Sequence, residues 1–350
     1  MVNLPQPFLV LAPMQEVTDL AFLRTLTRCG GGADLYVTEY FRVHVHSVLE
    51  KHILASILKN PTGQPVLAQM IGQDVAELVR TAKALLEHEA VFGVDLNLGC
   101  PAPTVCSKNA GGALLKNLSQ VDRILGSLRE ACGERKFTVK TRVGFETEGE
   151  FEELVAVFAK HEIDMLSVHG RTVRERYQTP VHTEEVKMAV ESLACPVVAN
   201  GNVVNVESGR NYLARTGAAG LMIGRGAIRN PWLFPQLRNS LAGREAPSLG
   251  KRELLEYVQV LWEETATARV ELGKRFVEKM HVHKMKRYLN YIVAGMEEDL
   301  VFRMKRSQTK EELFGALEEF LDTDDPVHDV PPEQSKLFCG FGDLLGKEDV

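Results

Sequence analysis

Eight short apolar or β-branched runs, each followed by a longer stretch of helical periodicity, constrain this chain more than any other feature. They fall at Phe8–Ala12, Leu35–Thr38, Val66–Met70, Gly93–Asn97, Phe137–Thr141, Met165–His169, Pro196–Ala199 and Gly220–Ile223. Short continuous apolar runs of this kind read as strands buried on both faces. Between them, Asp74–Glu89, Leu118–Cys132 and Phe151–His161 carry apolar residues at helical spacing, with Asp74 placed to cap the first. Strand and helix alternating about eight times over roughly 240 residues predict a (β/α)8 TIM barrel. An open doubly wound sheet is the competitor, but its G-x-G-x-x-G turn does not follow the first strand.

The polar residues sharpen this reading. The strands end on Met14-Gln15, Glu39, Gln69, Asn97 and Cys100, Lys140 and Arg142, His169 and Arg171, Asn200-Gly201, and Gly224-Arg225. In this fold the C-terminal strand ends form the active-site mouth. Beyond Leu249 the strands cease. Arg252–Glu271, Phe276–Ala294 and Lys310–Leu321 read as amphipathic helices, and the prolines and acidic cluster after them show no periodicity. The expected organisation is a barrel over 1–245, a small C-terminal helical domain over 249–322 joined through Pro247-Ser248, and an irregular tail over 323–350.

With 45% hydrophobic and 25% charged residues, the chain needs no disulfide scaffold to fold. Its six cysteines form no C-x-x-C pair and no zinc-type spacing, which suits a reducing compartment and predicts no metal. No stretch approaches a membrane span and no signal sequence precedes Phe8, so the expected location is cytoplasmic. A net charge of -6 argues against a uniformly basic coat but not against a local basic face. The oligomeric state is left open, a monomer being compatible with everything in the sequence.

Chemistry concentrates at the strand ends. In Val94–Pro101 a buried strand stops on an amide, a glycine, a thiol and a proline, which sets Cys100 on a rigid turn. Gly111-Gly112-Ala113 opens another flexible stretch before a helix. Glycines in Val197–Asn202 and Leu221–Gly226, with the fixed charge of Arg225, match the place where barrels bind phosphate. Gln69, Lys140 and His169 suit a planar heteroaromatic cofactor whose reduced ring carries negative charge, as a reduced flavin does. Lys140 could alternatively form a Schiff base. With no Cys–His–acid pattern in sight, Cys100 reads more simply as a neutral proton donor than as a nucleophile.

The chain resembles the tRNA-dihydrouridine synthases. The matching pieces run in the family's order from Leu11-Ala12-Pro13-Met14 and Thr18-Asp19 through Thr38-Glu39, Gln69–Gly72, Asp95–Pro101 and Gly111–Leu115. They continue with Val139–Gly144, His169–Thr172, Ala199-Asn200-Gly201 and Ile223–Ala227. The resemblance implies FMN as cofactor, NADPH as reductant and tRNA as partner, with the 5,6 double bond of specific uridines reduced. It implies hydride delivery to carbon 6 and a proton from Cys100 to carbon 5. Pro13, Met14 and Gln15 would lie along the flavin, with Gln69 and Lys140 at its polar edge. His169, Asn200, Gly201, Asn202, Gly224 and Arg225 would hold its phosphate end, and Asn97 would orient the base. Gln15 stands where the family often has a small residue, and Asn202 where many members carry an acid.

On the RNA side, Arg142 is a candidate substrate contact. Lys274, Arg275, Lys279, Lys284, Lys286 and Arg287 cluster near the second C-terminal helix, with Arg303, Lys305 and Arg306 beyond and Tyr288 and Tyr291 interleaved. Such a patch predicts salt-dependent phosphate binding, with Lys284, Lys286 and Arg287 as its centre. Three other readings compete: a small-molecule flavin reductase, a Schiff-base aldolase and a catalytically silent RNA-binding barrel.

Overall fold

A computed structural model describes residues 4–333 and 335–345. The strands are β1 (Phe8–Leu11), β2 (Leu35–Val37), β3 (Phe41–Arg42), β4 (Val66–Ile71), β5 (Gly93–Leu98), β6 (Lys136–Arg142), β7 (Met165–His169), β8 (Val197–Asn200) and β9 (Gly220–Ile223). All pairings are parallel. β1 pairs with both β2 and β9, and β2 pairs with β4, so the sheet closes on itself. Eight strands form the barrel, and β3 is a short extra strand beside the end of β4. All eight predicted strands are present, with ends differing by one residue at most.

Period-two alternation explains where the site lies. Leu9, Leu11, Val94, Leu96 and Val139 face outward into the core shared with the helices. Their alternates Phe8, Val10, Leu35, Val37, Leu67, Met165, Val198 and Met222 form a separate cluster filling the lower lumen. Continuing upward on that inner face, the same alternation delivers Gln69, Asp95, Asn97, Lys140, Arg142, His169 and Asn200. Register then sets Asn97 beside Lys140, Arg142 beside His169, and His169 beside Asn200. The mouth is the upper end of the barrel core.

Helices Lys251–Glu271, Glu278–Ile292, Glu298–Arg306 and Lys310–Leu321 follow the barrel. The third was not foreseen; it buries only Leu300 and Met304 amid charge. The domain is welded to the barrel rather than loosely appended. Tyr257 Oη donates to Ile228 O at 2.9 Å, and Arg24 makes two hydrogen bonds to Glu271. Tyr288 stacks on Phe22 and donates to Val17 O at 3.0 Å. Tyr288 is thus seam packing, not an RNA-facing aromatic, and Tyr291 packs edge-on to Phe338.

The tail packs onto the barrel. Phe338 and Phe341 are buried with Val204, and Gly342–Leu345 forms a 3₁₀ turn. Apolar side chains spaced too irregularly to signal a helix still pack as a strap against the barrel. Residues 334 and 346–350 of the expected tail lie outside the described residues. Among the described residues no helix is long and apolar enough to cross a membrane, and no group of three or more His, Cys, Asp or Glu could hold a metal ion.

Candidate active site

A cavity of about 450 Å³ opens at the C-terminal ends of the strands. Pro13, Met14 and Gln15 line one wall, and Asn97 and Cys100 another. Lys140, Arg142, His169, Asn200, Gly201, Asn202, Gly224 and Arg225 complete it. Of the barrel residues expected at the site, Gln69 alone does not line the cavity.

Gln69 lies wholly buried beneath the mouth, where its amide is committed at both ends. Its Nε2 donates to Asp95 Oδ2 and its Oε1 accepts from Asn97 Nδ2, both at 2.8 Å. Asn97 Oδ1 in turn accepts from the backbone N–H of Gly99 at 3.1 Å and Cys100 at 2.9 Å. Thr138 Oγ1 donates to the other oxygen of Asp95. These bonds form a relay from the barrel interior to the turn that carries Cys100. Gln69, expected at the cofactor's edge, spends its amide on these internal bonds, whereas Asn97, expected to orient the base, also lines the cavity. Burial pushes the Asp95 carboxyl up to about 6, with the bonds from Thr138 and Gln69 pulling it back.

The Cys100 turn is packed from its other side as well. Gly112 N donates to Cys100 O at 3.1 Å. A Cβ on Gly111 would lie 3.1 Å from Cys100 Cβ, and one on Gly112 only 2.6 Å from Val173 Cγ2. The expected flexible stretch is therefore a buried 3₁₀ turn, Gly111–Lys116, whose glycines permit close approach. Burial raises the Cys100 thiol above its ordinary value, so it rests protonated.

Opposite, Lys140 Nζ donates to Asn200 Oδ1 at 3.0 Å. Burial, reinforced by the Arg142 guanidinium, pushes its ammonium down to about 8, which leaves it charged at neutral pH. His169 is held well below the usual imidazole range, first by burial and then by Arg142 and Lys140. It is neutral, and its buried Nδ1 has no hydrogen-bond partner among the described residues. Arg142, expected to contact substrate, lines the cavity and is also held by three backbone carbonyls. Its Nε donates to Gly99 O, and its Nη1 to Thr172 O and Arg176 O, at 2.7–2.8 Å. It staples the turn of Cys100 to the loop after β7.

At the β8 and β9 ends, Arg225 lies over the rings of Tyr177 (4.9 Å) and Phe338 (5.8 Å) and donates to Leu337 O. Asn202, in the left-handed region at φ 57°, accepts from Arg171 Nη2 at 2.8 Å and donates to Gly340 O. Among the described residues no acidic side chain lines the cavity, whereas Lys140, Arg142, Arg225 and Lys336 all do.

Comparison with known proteins places this geometry. The Dihydrouridine synthase (Dus) family matches over residues 10–323. The chain belongs to the dihydrouridine synthase family. Among curated relatives, the tRNA-dihydrouridine(16) synthase of Haemophilus influenzae is 32% identical over 314 residues, covering 87% of this chain and 97% of the relative. The tRNA-dihydrouridine synthase B of Pseudomonas aeruginosa is 31% identical over 296 residues, covering 84% and 86%. Among solved structures, a morphinone reductase variant in complex with tetrahydroNAD aligns with a TM-score of 0.50 at 11% identity, covering 67% of this chain and 88% of the other. That likeness concerns the barrel fold.

In this family member the basic residues of the helical domain divide into two sets. Lys284 Nζ donates to Glu16 O at 2.6 Å and to Asp19 Oδ2 at 2.9 Å, and Arg287 pairs with Glu16. Lys286 Nζ donates to Lys305 O at 2.8 Å and Ser307 O at 2.6 Å, at the end of the Glu298–Arg306 helix. The residues predicted as the centre of the RNA patch thus also latch the domains together and cap a helix. Lys274 and Lys279 remain exposed, and with Arg42, Arg269 and the bonded Lys284, Lys286 and Arg287 they line a cleft of about 740 Å³ between barrel and helical domain. Glu39, at the end of β2, faces this cleft from a buried position; burial, with nearby Asp19 adding, pushes its carboxyl up to about 8.

Sequence reading gave no role to Asp95, Tyr177 or Lys336. Asp95 carried a signal, an acid in a strand otherwise apolar. Tyr177 and Lys336 reach the mouth from a loop and the tail, where no periodicity points inward.

Proposed function

We propose that this protein reduces the 5,6 double bond of uridines in tRNA, binding FMN across the barrel mouth and using NADPH as reductant. The observation that carries the reading is a thiol, fixed by the Asp95–Gln69–Asn97 relay, at a cavity whose charged lining among the described residues is entirely cationic.

The residues fit such a cofactor. The cavity is of the size that binds drug-sized ligands. Pro13 and Met14 offer an apolar wall, Lys140 a charge for an electron-rich ring, and Arg225 a charge for a phosphate. A Cβ on Gly224 would sit 3.1 Å from Met14 Sδ, so a larger residue there would push on the Met14 side chain that lines the cavity. The unpartnered Nδ1 of neutral His169 is free to bond to a ligand.

When bound, FMN supplies the hydride that saturates the uracil ring at carbon 6. Cys100 supplies the proton at carbon 5, and as its pKa is raised it holds that proton until a developing carbanion takes it. Lys140 steadies negative charge at the mouth. A uridine inside folded RNA must be extruded to reach this depth; Tyr40 and Tyr177 present aromatic rings at the rim for it to meet. The cleft lined by Lys274, Lys279, Arg42 and Arg269 lies alongside and suits an RNA backbone.

The test is to purify the protein, record its visible spectrum, and incubate it with NADPH and tRNA lacking dihydrouridine. Flavin absorbance and dihydrouridine in the digested tRNA are expected, with NADPH consumed faster than NADH. Colourless protein that FMN cannot reconstitute, or flavoprotein that leaves the tRNA unchanged while reducing small unsaturated substrates, would overturn the reading.

A further inference from the structure

The family match ends at residue 323, yet the described chain continues to residue 345 and returns to the barrel mouth. Three backbone carbonyls of this strap meet three side chains of the β7–β9 rim. Leu337 O accepts from Arg225, Cys339 O from Arg171 at 3.0 Å, and Gly340 O from Asn202. Asn202 suits this place because an amide both accepts from Arg171 and donates to Gly340; a carboxylate could not donate. Phe338 covers one side of the Arg225 guanidinium, within 5.8 Å of its ring centre, and Lys336 of the same strap lines the cavity beside it.

We propose that Lys336 is an additional cofactor-phosphate contact, presented by a C-terminal strap that also fixes Arg225 in place; this rests on the flavin reading above. A guanidinium held between Tyr177 and Phe338 with one donor tied to Leu337 O cannot swing away, so its other N–H groups stay aimed. Lys336 adds a cation beside Arg225 in a cavity that no acid lines among the described residues. Geometry fixed beforehand lowers the entropy cost of holding an anion.

The experiment compares FMN with riboflavin, which lacks the phosphate, by fluorescence titration of the full-length protein stripped of flavin. The ratio of their dissociation constants isolates the phosphate contribution. Lys336→Met is expected to reduce that ratio by about tenfold while riboflavin affinity stays the same, since one charge-assisted contact is lost. Gly340→Ala is the second variant. Gly340 has φ +66°, and an added Cβ would run into Thr179 O, so the strap must lift although no cavity-lining side chain changes. It should reduce the ratio at least as much and speed proteolysis after residue 333. An unchanged ratio in both variants overturns the proposal, and so does tighter FMN binding in either, because the strap would then compete with the anion. If the wild type binds neither flavin, the flavin reading itself fails and takes this inference with it.

Discussion

The two sides of the barrel mouth are built differently. On the β4–β6 side, Asp95, Gln69 and Asn97 are joined end to end by hydrogen bonds, which carry the position of Cys100 down into the barrel. On the β7–β9 side, Arg225, Asn202 and Arg171 reach out to the strap, and His169 keeps a buried nitrogen without a partner. The thiol's side is complete within the barrel; the anion's side is completed from outside it. Rigid support suits a group that must deliver a proton to one carbon, because small misplacement is costly in rate.

The largest effect should come from the end of the relay. Cys100→Ala is expected to leave flavin reduction by NADPH intact and to slow dihydrouridine formation by about 10²–10⁴-fold, the usual worth of a positioned acid. Stopped-flow absorbance separates the two half-reactions. Turnover with tRNA at the wild-type rate would remove the proton donor from the scheme and leave the contrast between the two sides without a purpose.

Next in size is the relay itself. Gln69→Leu leaves Asp95 Oδ2 and Asn97 Nδ2 buried without their partner, a loss of about 2–4 kcal/mol in stability. Catalysis should fall at unchanged FMN affinity, because Gln69 acts on the thiol's turn and does not line the cavity. A variant that loses FMN affinity in proportion would restore Gln69 to the cofactor's edge.

This outcome bears on what the sequence could disclose. Barrel strands were legible because buried parallel strands are continuous apolar runs, and the site followed because each strand ends on a polar residue. That pattern says which residues rise to the mouth, but not which of them turn inward on one another. An amide's type does not reveal that Gln69 and Asn97 bond to each other, and charge along a helix is silent about the Glu16 loop packed on Lys284 and Arg287. The strap escaped notice because the anchoring of Leu337, Cys339 and Gly340 runs through backbone carbonyls, which every residue has.

A subtler probe asks whether the buried acid facing the inter-domain cleft is neutral. Glu39 titrates near 8 in the folded protein against about 4.5 when exposed, chiefly through burial. The unfolded chain therefore releases this proton first, and stability declines as pH rises from about 4.5 to about 8. The neighbouring Asp19 and Glu50 act with this trend, and Lys284 and Arg42 against it. Glu39→Gln should therefore melt roughly 2–4 °C above wild type at pH 8, with the gap closing below pH 5. A gap independent of pH would mean that Glu39 is ionised in the native state.

The smallest effects should separate the two sets of cations on the helical domain. Lys274 and Lys279 are exposed in the cleft, so replacing both by alanine should weaken tRNA binding several-fold and flatten the salt dependence by about 1–2 units of log–log slope. The melting temperature should not move, since neither ammonium holds the fold together. Lys286→Met should do the reverse, lowering the melting temperature because Lys305 O and Ser307 O lose a shared donor, at an unaltered salt slope. If Lys286→Met flattened the slope and the Lys274/Lys279 pair did not, the RNA would be held by the hydrogen-bonded cations of the cleft wall rather than by its exposed ones, and charge counted along the sequence would have located it better than exposure does.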